Sequence, residues 1–142
     1  MKKLVVAIML LVGTVTFAQN RIINFNELPK LGKDFIIKYF GSENVKHIIS
    51  DDDYFFNDYE LVLTNGTEIE FNKDGEWKDI DGKKNRIPTA FIPKEITSYV
   101  NKSFPNTGIV KIEKERFKYS VELTNGLELD FNNKGKFLRI DS

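Results

Sequence analysis

Tyr59-Glu60-Leu61-Val62-Leu63-Thr64-Asn65-Gly66 returns later in the chain as Tyr119-Ser120-Val121-Glu122-Leu123-Thr124-Asn125-Gly126. This stretch decides the fold. Its side chains alternate with a period of two, so it reads as a strand with one dry and one wet face. It ends in Asn-Gly, the strongest short hairpin signal, because both residues tolerate positive φ. Its recurrence makes the chain one unit written twice.

The repeat extends in both directions. Downstream, Glu68-Ile69-Glu70-Phe71-Asn72 matches Glu128-Leu129-Asp130-Phe131-Asn132. Gly75 matches Gly135, Trp77 matches Phe137, and Ile80-Asp81 matches Ile140-Asp141. Upstream, Leu28-Pro29 matches Ile92-Pro93, Phe35-Ile36 matches Tyr99-Val100, Phe40 matches Phe104, and Val45 and Ile48 match Ile109 and Ile112. The first copy alone carries about four extra residues within Ser50 to Asp58, the kind of insertion that maps to a loop or strand end.

Each unit begins as a helix. Pro29 and Pro93 sit where a first turn loses no needed donor. Phe35, Ile36, Tyr39 and Phe40 form one helical stripe, and Ile92, Ile96, Tyr99, Val100 and Phe104 form the other. Gly41 and Pro105 end them. Alternating strands follow, with a second turn at Asn72-Lys73-Asp74-Gly75 and at Asn132-Asn133-Lys134-Gly135. The expected fold is α+β, helix-β-β-β-β twice, with residues 19–81 as the first unit, 82–90 as a polar linker and 91–142 as the second.

The dry face carries Ile48, Tyr59, Leu61, Leu63, Ile69, Phe71 and Ile80, then Ile112, Tyr119, Val121, Leu123, Leu129, Phe131 and Ile140. The apolar stripes of the helices must cover it. The other face carries Glu60, Val62, Glu68, Glu70, Trp77 and Asp79, then Ser120, Glu122, Glu128, Asp130, Phe137 and Arg139. Strict alternation from Ile80 and Ile140 puts Trp77 and Phe137 there, as aromatic anchors among acids. A bulge after Gly75 or Gly135 would turn both rings inward instead. The insertion Asp51-Asp52-Asp53-Tyr54-Phe55-Phe56-Asn57-Asp58 reads either as a protruding recognition element or as a longer hairpin whose rings cap the core edge. Its acids could attract calcium, although the spacing is not that of an EF-hand.

The N-terminus reads as an export signal: basic Met1-Lys2-Lys3, an apolar run from Leu4 to Val12, and Thr16-Phe17-Ala18 before a cleavage site at Gln19. The run is too short to span a bilayer, so residues 1–18 are expected to be removed and no membrane insertion to remain. No cysteine follows the run, which excludes a lipid anchor there. The chain carries 21 basic and 21 acidic residues, and losing Lys2 and Lys3 leaves a small acidic excess. That gives no basic stripe for nucleic acid. With no cysteine and one histidine, His47, there is no thiol chemistry, no zinc set and no triad. No phosphate-binding glycine loop occurs. Acid–base catalysis by the carboxylates would need a cleft that shifts their pKa values.

These motifs resemble the PepSY-like periplasmic proteins of Bacteroidetes, a group related in fold to the β-lactamase-inhibitor protein. The motifs that carry the resemblance are the signal ending Phe17-Ala18-Gln19 and the paired runs through Thr64-Asn65-Gly66 and Thr124-Asn125-Gly126. They continue through Glu68 to Asn72 and Glu128 to Asn132, Gly75-x-Trp77 and Gly135-x-Phe137, and the two Ile-Asp pairs. The resemblance implies two tandem units whose strands join into one curved antiparallel sheet with helices on one side. It also implies a non-enzymatic role, inhibiting or regulating an envelope or secreted enzyme such as a peptidase. It brings no functional residues with it.

The sequence therefore leads to a periplasmic or secreted binding module with no cofactor and no metal. Its partner would be a protein or peptide of the cell envelope. The candidate binding residues are Trp77, Phe137, Glu68, Glu70, Glu128 and Asp130, with Tyr54, Phe55 and Phe56 of the insertion. The alternative is a small-molecule or calcium-binding periplasmic sensor.

Overall fold

The computed structural model describes residues 20–53 and 56–141. The expected signal segment, and Tyr54 and Phe55 of the insertion, lie outside the described residues. The elements run β1 (Asn20–Ile23), α1 (Lys30–Tyr39), β2 (Val45–Asp53), β3 (Phe56–Leu63), β4 (Glu68–Phe71), β5 (Trp77–Asp81), α2 (Lys94–Ser103), β6 (Ile109–Lys114), β7 (Lys118–Leu123), β8 (Glu128–Asn132) and β9 (Phe137–Asp141). Among the described residues the strands form a single nine-stranded antiparallel sheet in chain order.

This corrects the expected helix-β-β-β-β plan. Asn20–Ile23 is a strand, which places α1 inside the connection between the neighbouring strands β1 and β2. In the same way, α2 lies inside the connection between β5 and β6, which also pair. The chain is thus one continuous sheet with two helical insertions rather than two helix-led units. The physical reason is a row of aliphatic residues that crosses every strand: Ile23, Ile48, Leu61, Ile69, Ile80, Ile112, Val121, Leu129 and Ile140. Ile80 against Ile112 continues the row across the junction, so nothing separates the halves. The expected linker is tied down as well. Gly82 and Ile87 donate their backbone N–H groups to Val110 and Ile109, and Ile87 is buried.

Pro29 and Pro93 are the residues immediately before the helices. The buried face of α1 carries Ile36, and that of α2 carries Ile96 and Val100. These join the aliphatic row from Ile23 to Leu129, Phe71 and Phe131 in one core, while Ile140 at the end of the row stays half-exposed. Burying each such side chain contributes about 1.5–3 kcal/mol. The turns after β4 and β8 touch the helices directly. A Cβ on Gly75 would lie 2.8 Å from the Gly32 backbone nitrogen, and one on Gly135 would lie 2.8 Å from Glu95 Cβ. Both glycines also have positive φ, so the turns require glycine for space and for conformation.

Candidate functional site

The core occupies one face of the sheet. On the opposite face, cross-strand pairing lines up two further rows. The first runs Ile49, Glu60, Glu70, Asp79, Glu113, Ser120, Asp130 and Arg139. The second runs His47, Val62, Glu68, Asp81, Lys111, Glu122, Glu128 and Asp141. Four consecutive members of the first row are acids, each directly opposite the next. Directly opposed like charges destabilise a sheet, so this row costs the fold stability.

Only part of that charge is compensated. The Lys78 ammonium donates to Asp58 at 2.9 Å and lies 3.5 Å from Glu70. Lys83 reaches Glu68 and Asp81, each at 3.2 Å. Although burial pushes the Asp81 carboxyl up, the backbone N–H and ammonium of Lys83 hold it below its usual value. Asp79 behaves differently. Burial pushes its pKa up to about 6; Lys111 opposes this, while Glu113, Glu70 and Asp81 push the same way. Around it lies a shallow depression of about 280 Å³, lined by Glu60, Glu68, Ile69, Glu70, Asp79, Asp81 and Lys111. A second recess of about 220 Å³ shares Glu60 and Glu70 with it and extends to Asp51 and Asp58.

At the far end of the rows, carboxylate oxygens of Glu128, Asp130 and Asp141 lie within 4.8 Å of one another. Asp130 is fully buried. One of its oxygens accepts from Lys118 at 3.3 Å and forms an ion pair with the Arg139 guanidinium at 2.9 Å, while the other, Oδ1, has no hydrogen-bond partner among the described residues. Glu128 accepts from the Ser120 hydroxyl at 2.6 Å. This trio is the group of described side chains with the donor chemistry for a hard divalent cation.

Of the residues singled out from the sequence, Glu68, Glu70, Glu128 and Asp130 stand on this open face. Glu68 and Glu70 line the depression, and Glu128 and Asp130 belong to the distal trio. Trp77 and Phe137 are on the other side. In each case the pairing slips by one residue, between Glu70 and Phe71 and between Asp130 and Phe131. Trp77 and Phe137 therefore face Phe71 and Phe131 on the helix-covered side. The Trp77 ring meets Phe91 at 5.6 Å and Phe35 at 6.5 Å, with the Lys114 ammonium 4.4 Å from its centroid. Phe137 stacks on Tyr99 of α2 at 4.4 Å. Strict alternation misplaced both rings, and the bulge is the cause. Phe56 opens β3 opposite Asp53, so part of the insertion lengthens the β2–β3 hairpin.

Reading by single residues missed Asp79, Asp81 and Glu113 as members of one site. Alternation around Ile80 and Ile112 carried the signal, but only strand order makes Asp79 and Glu113 neighbours.

A helix-backed antiparallel sheet with an open, acid-lined face defines the class. The family described as "Putative beta-lactamase-inhibitor-like, PepSY-like" matches residues 57–139, and the chain belongs to it. Solved structures agree. A "putative calcium-regulated periplasmic protein" of Bacteroides thetaiotaomicron is 33% identical with TM-score 0.82, covering 87% of this chain and 97% of that one. A "putative periplasmic protein of unknown function" of Bacteroides vulgatus is 36% identical with TM-score 0.80, covering 87% and 100%. Another protein of B. vulgatus, of the DUF2874 family, is 31% identical with TM-score 0.81, covering 87% and 98%. No curated protein matches. Among the described residues, no helix is long and apolar enough to cross a membrane.

Proposed function

We propose that this chain is an exported, non-enzymatic module of the periplasm that holds a basic segment of a protein partner on its open sheet face. The partner on this reading is an envelope or secreted enzyme, such as a peptidase, that the module inhibits or regulates. The observation that carries the reading is the row Glu60, Glu70, Asp79 and Glu113, in which acid faces acid across four strands. Such a row costs stability in the free protein, and a cationic partner would relieve that cost. Complementary charge also speeds and selects encounters. The test is capture from an envelope extract, comparing wild type with a Glu60→Gln, Glu70→Gln, Glu113→Gln variant. Wild type is expected to retain a partner that salt elutes, and the variant to lose it while melting no lower. Equal capture by both proteins would refute the reading.

A second reading, a calcium-binding sensor, is favoured by the Glu128, Asp130 and Asp141 trio and by the relative described as calcium-regulated. A ligand that binds only the native state raises its melting temperature. On this reading millimolar calcium raises the melting temperature of wild type and not that of Asp141→Asn. No shift in wild type removes it.

A further inference from the structure

We infer that β9 is a self-complementary edge through which two copies of this chain pair, joining their sheets across a two-fold axis. β9 resembles β5 in sequence, but the two sit differently. β5 has β4 on one side and β6 on the other, and Ile80 is 0% exposed. Among the described residues β9 pairs with β8 alone, and Ile140 is 48% and Leu138 49% exposed. A free edge with half-exposed aliphatic side chains is a template for another strand.

The β5–β6 junction shows what such a strand needs. It consists of three pairs: Asp79 with Glu113, Ile80 with Ile112, and Asp81 with Lys111. The same three positions on β9 are Arg139, Ile140 and Asp141. Laid antiparallel on a second β9 and centred on Ile140, this triplet puts Arg139 opposite the other copy's Asp141 and Ile140 opposite its counterpart. Asp141 then meets the other copy's Arg139. The β5 triplet, Asp-Ile-Asp, would put acid on acid in that register. Arg139 in place of the Asp79 equivalent is what makes the edge fit itself, and opposite charges in direct cross-strand pairs are favourable.

The arriving arginine would also meet an existing need. Asp141 lies with Glu128 and Asp130 in a cluster whose own cations, Lys118 and Arg139, are both bound to Asp130. Pairing with the other edge, β1, fits less well. Opposing Ile140 to Ile23 or to Arg21 sets Ile22 against Asp141 or Arg139, and the head-to-tail contact would propagate instead of closing. The β9–β9 contact is isologous and closes at two copies.

The test is sedimentation of the protein over a range of concentrations. Wild type is expected to show a dimer that grows with concentration. Arg139→Asp and Asp141→Arg are each expected to remain monomeric where wild type is dimeric. Mixed in equal amounts they should form a heterodimer, because the Asp-Ile-Asp edge of one then meets the Arg-Ile-Arg edge of the other. Damage to the fold could explain monomeric variants but not that rescue. If either charge variant proves unfolded by circular dichroism, Ile140→Lys, at a half-exposed position, is the substitute and should also be monomeric. A wild type that stays monomeric up to millimolar concentration, dimers unchanged by the substitutions, or folded variants that fail to associate when mixed would each overturn the inference. A monomeric wild type whose melting temperature rises with calcium would give the carboxylate trio to a cation, and overturns it as well.

Discussion

Asp79 is where the chemistry of the open face is most concentrated. It lies half-buried between Glu70 and Glu113, its partners on the flanking strands. Its folded pKa of about 6 lies above the ordinary aspartate value of 3.8, with burial the main cause. The folded state therefore holds this proton over a range in which the unfolded chain has released it. Stability from this group is fully present below the unfolded pKa and is lost as pH rises through about 6. Asp79→Asn removes the charge but keeps the shape. The variant should therefore melt higher than wild type at pH 7, with the difference shrinking toward pH 4. A constant difference across that range would show that the carboxylate does not titrate as described. The turn asparagines teach a related lesson. The sequence motif suggested positive φ at both Asn65 and Gly66, but only the glycine adopts it. Asn65 serves the turn through its side chain, which accepts the Thr67 N–H at 2.9 Å, and Asn125 does the same for Leu127 at 3.1 Å.

At the scale of the element, the bulges of β5 and β9 decide which side chains are core. One extra residue in a strand reverses the facing of everything beyond it. Ile80 and Asp79 follow the alternation, whereas Trp77, beyond the slip, does not. The helices supply the other half of this arrangement, since Phe35 of α1 and Tyr99 of α2 are in place to receive the rings. Trp77→Ala should accordingly cost about 3 kcal/mol of stability, read as a lower urea midpoint. An unchanged midpoint would mean that the ring contributes nothing to the core. The sequence made β2 to β9 and the helix starts legible, because alternation, Asn-Gly and Pro each act locally. It left the placement of Trp77 and Phe137 open, because a bulge changes no residue type and shows only in the pairing with the next strand.

For the whole molecule, the decisive feature is continuity. The aliphatic row from Ile23 to Ile140 passes through every strand and binds the two similar halves into one sheet. Asn20–Ile23 escaped the sequence reading because four residues with one buried side chain give too short a pattern. The same continuity assembles the candidate site. Glu68, Glu70, Glu128 and Asp130 could be placed on the wet face from alternation alone. The unbroken acidic row could not, because Asp79 and Glu113 are neighbours only through the β5–β6 pairing. An open face of this kind, opposite a helix-covered one, makes the location of binding the central claim. The direct measurement is an amide chemical-shift map recorded as the captured partner is titrated in. Shifts should concentrate on Glu60, Glu70, Asp79 and Glu113 and weaken as salt is raised. Shifts confined to the exposed side of α1, around Leu31 and Ile37, would contradict the account.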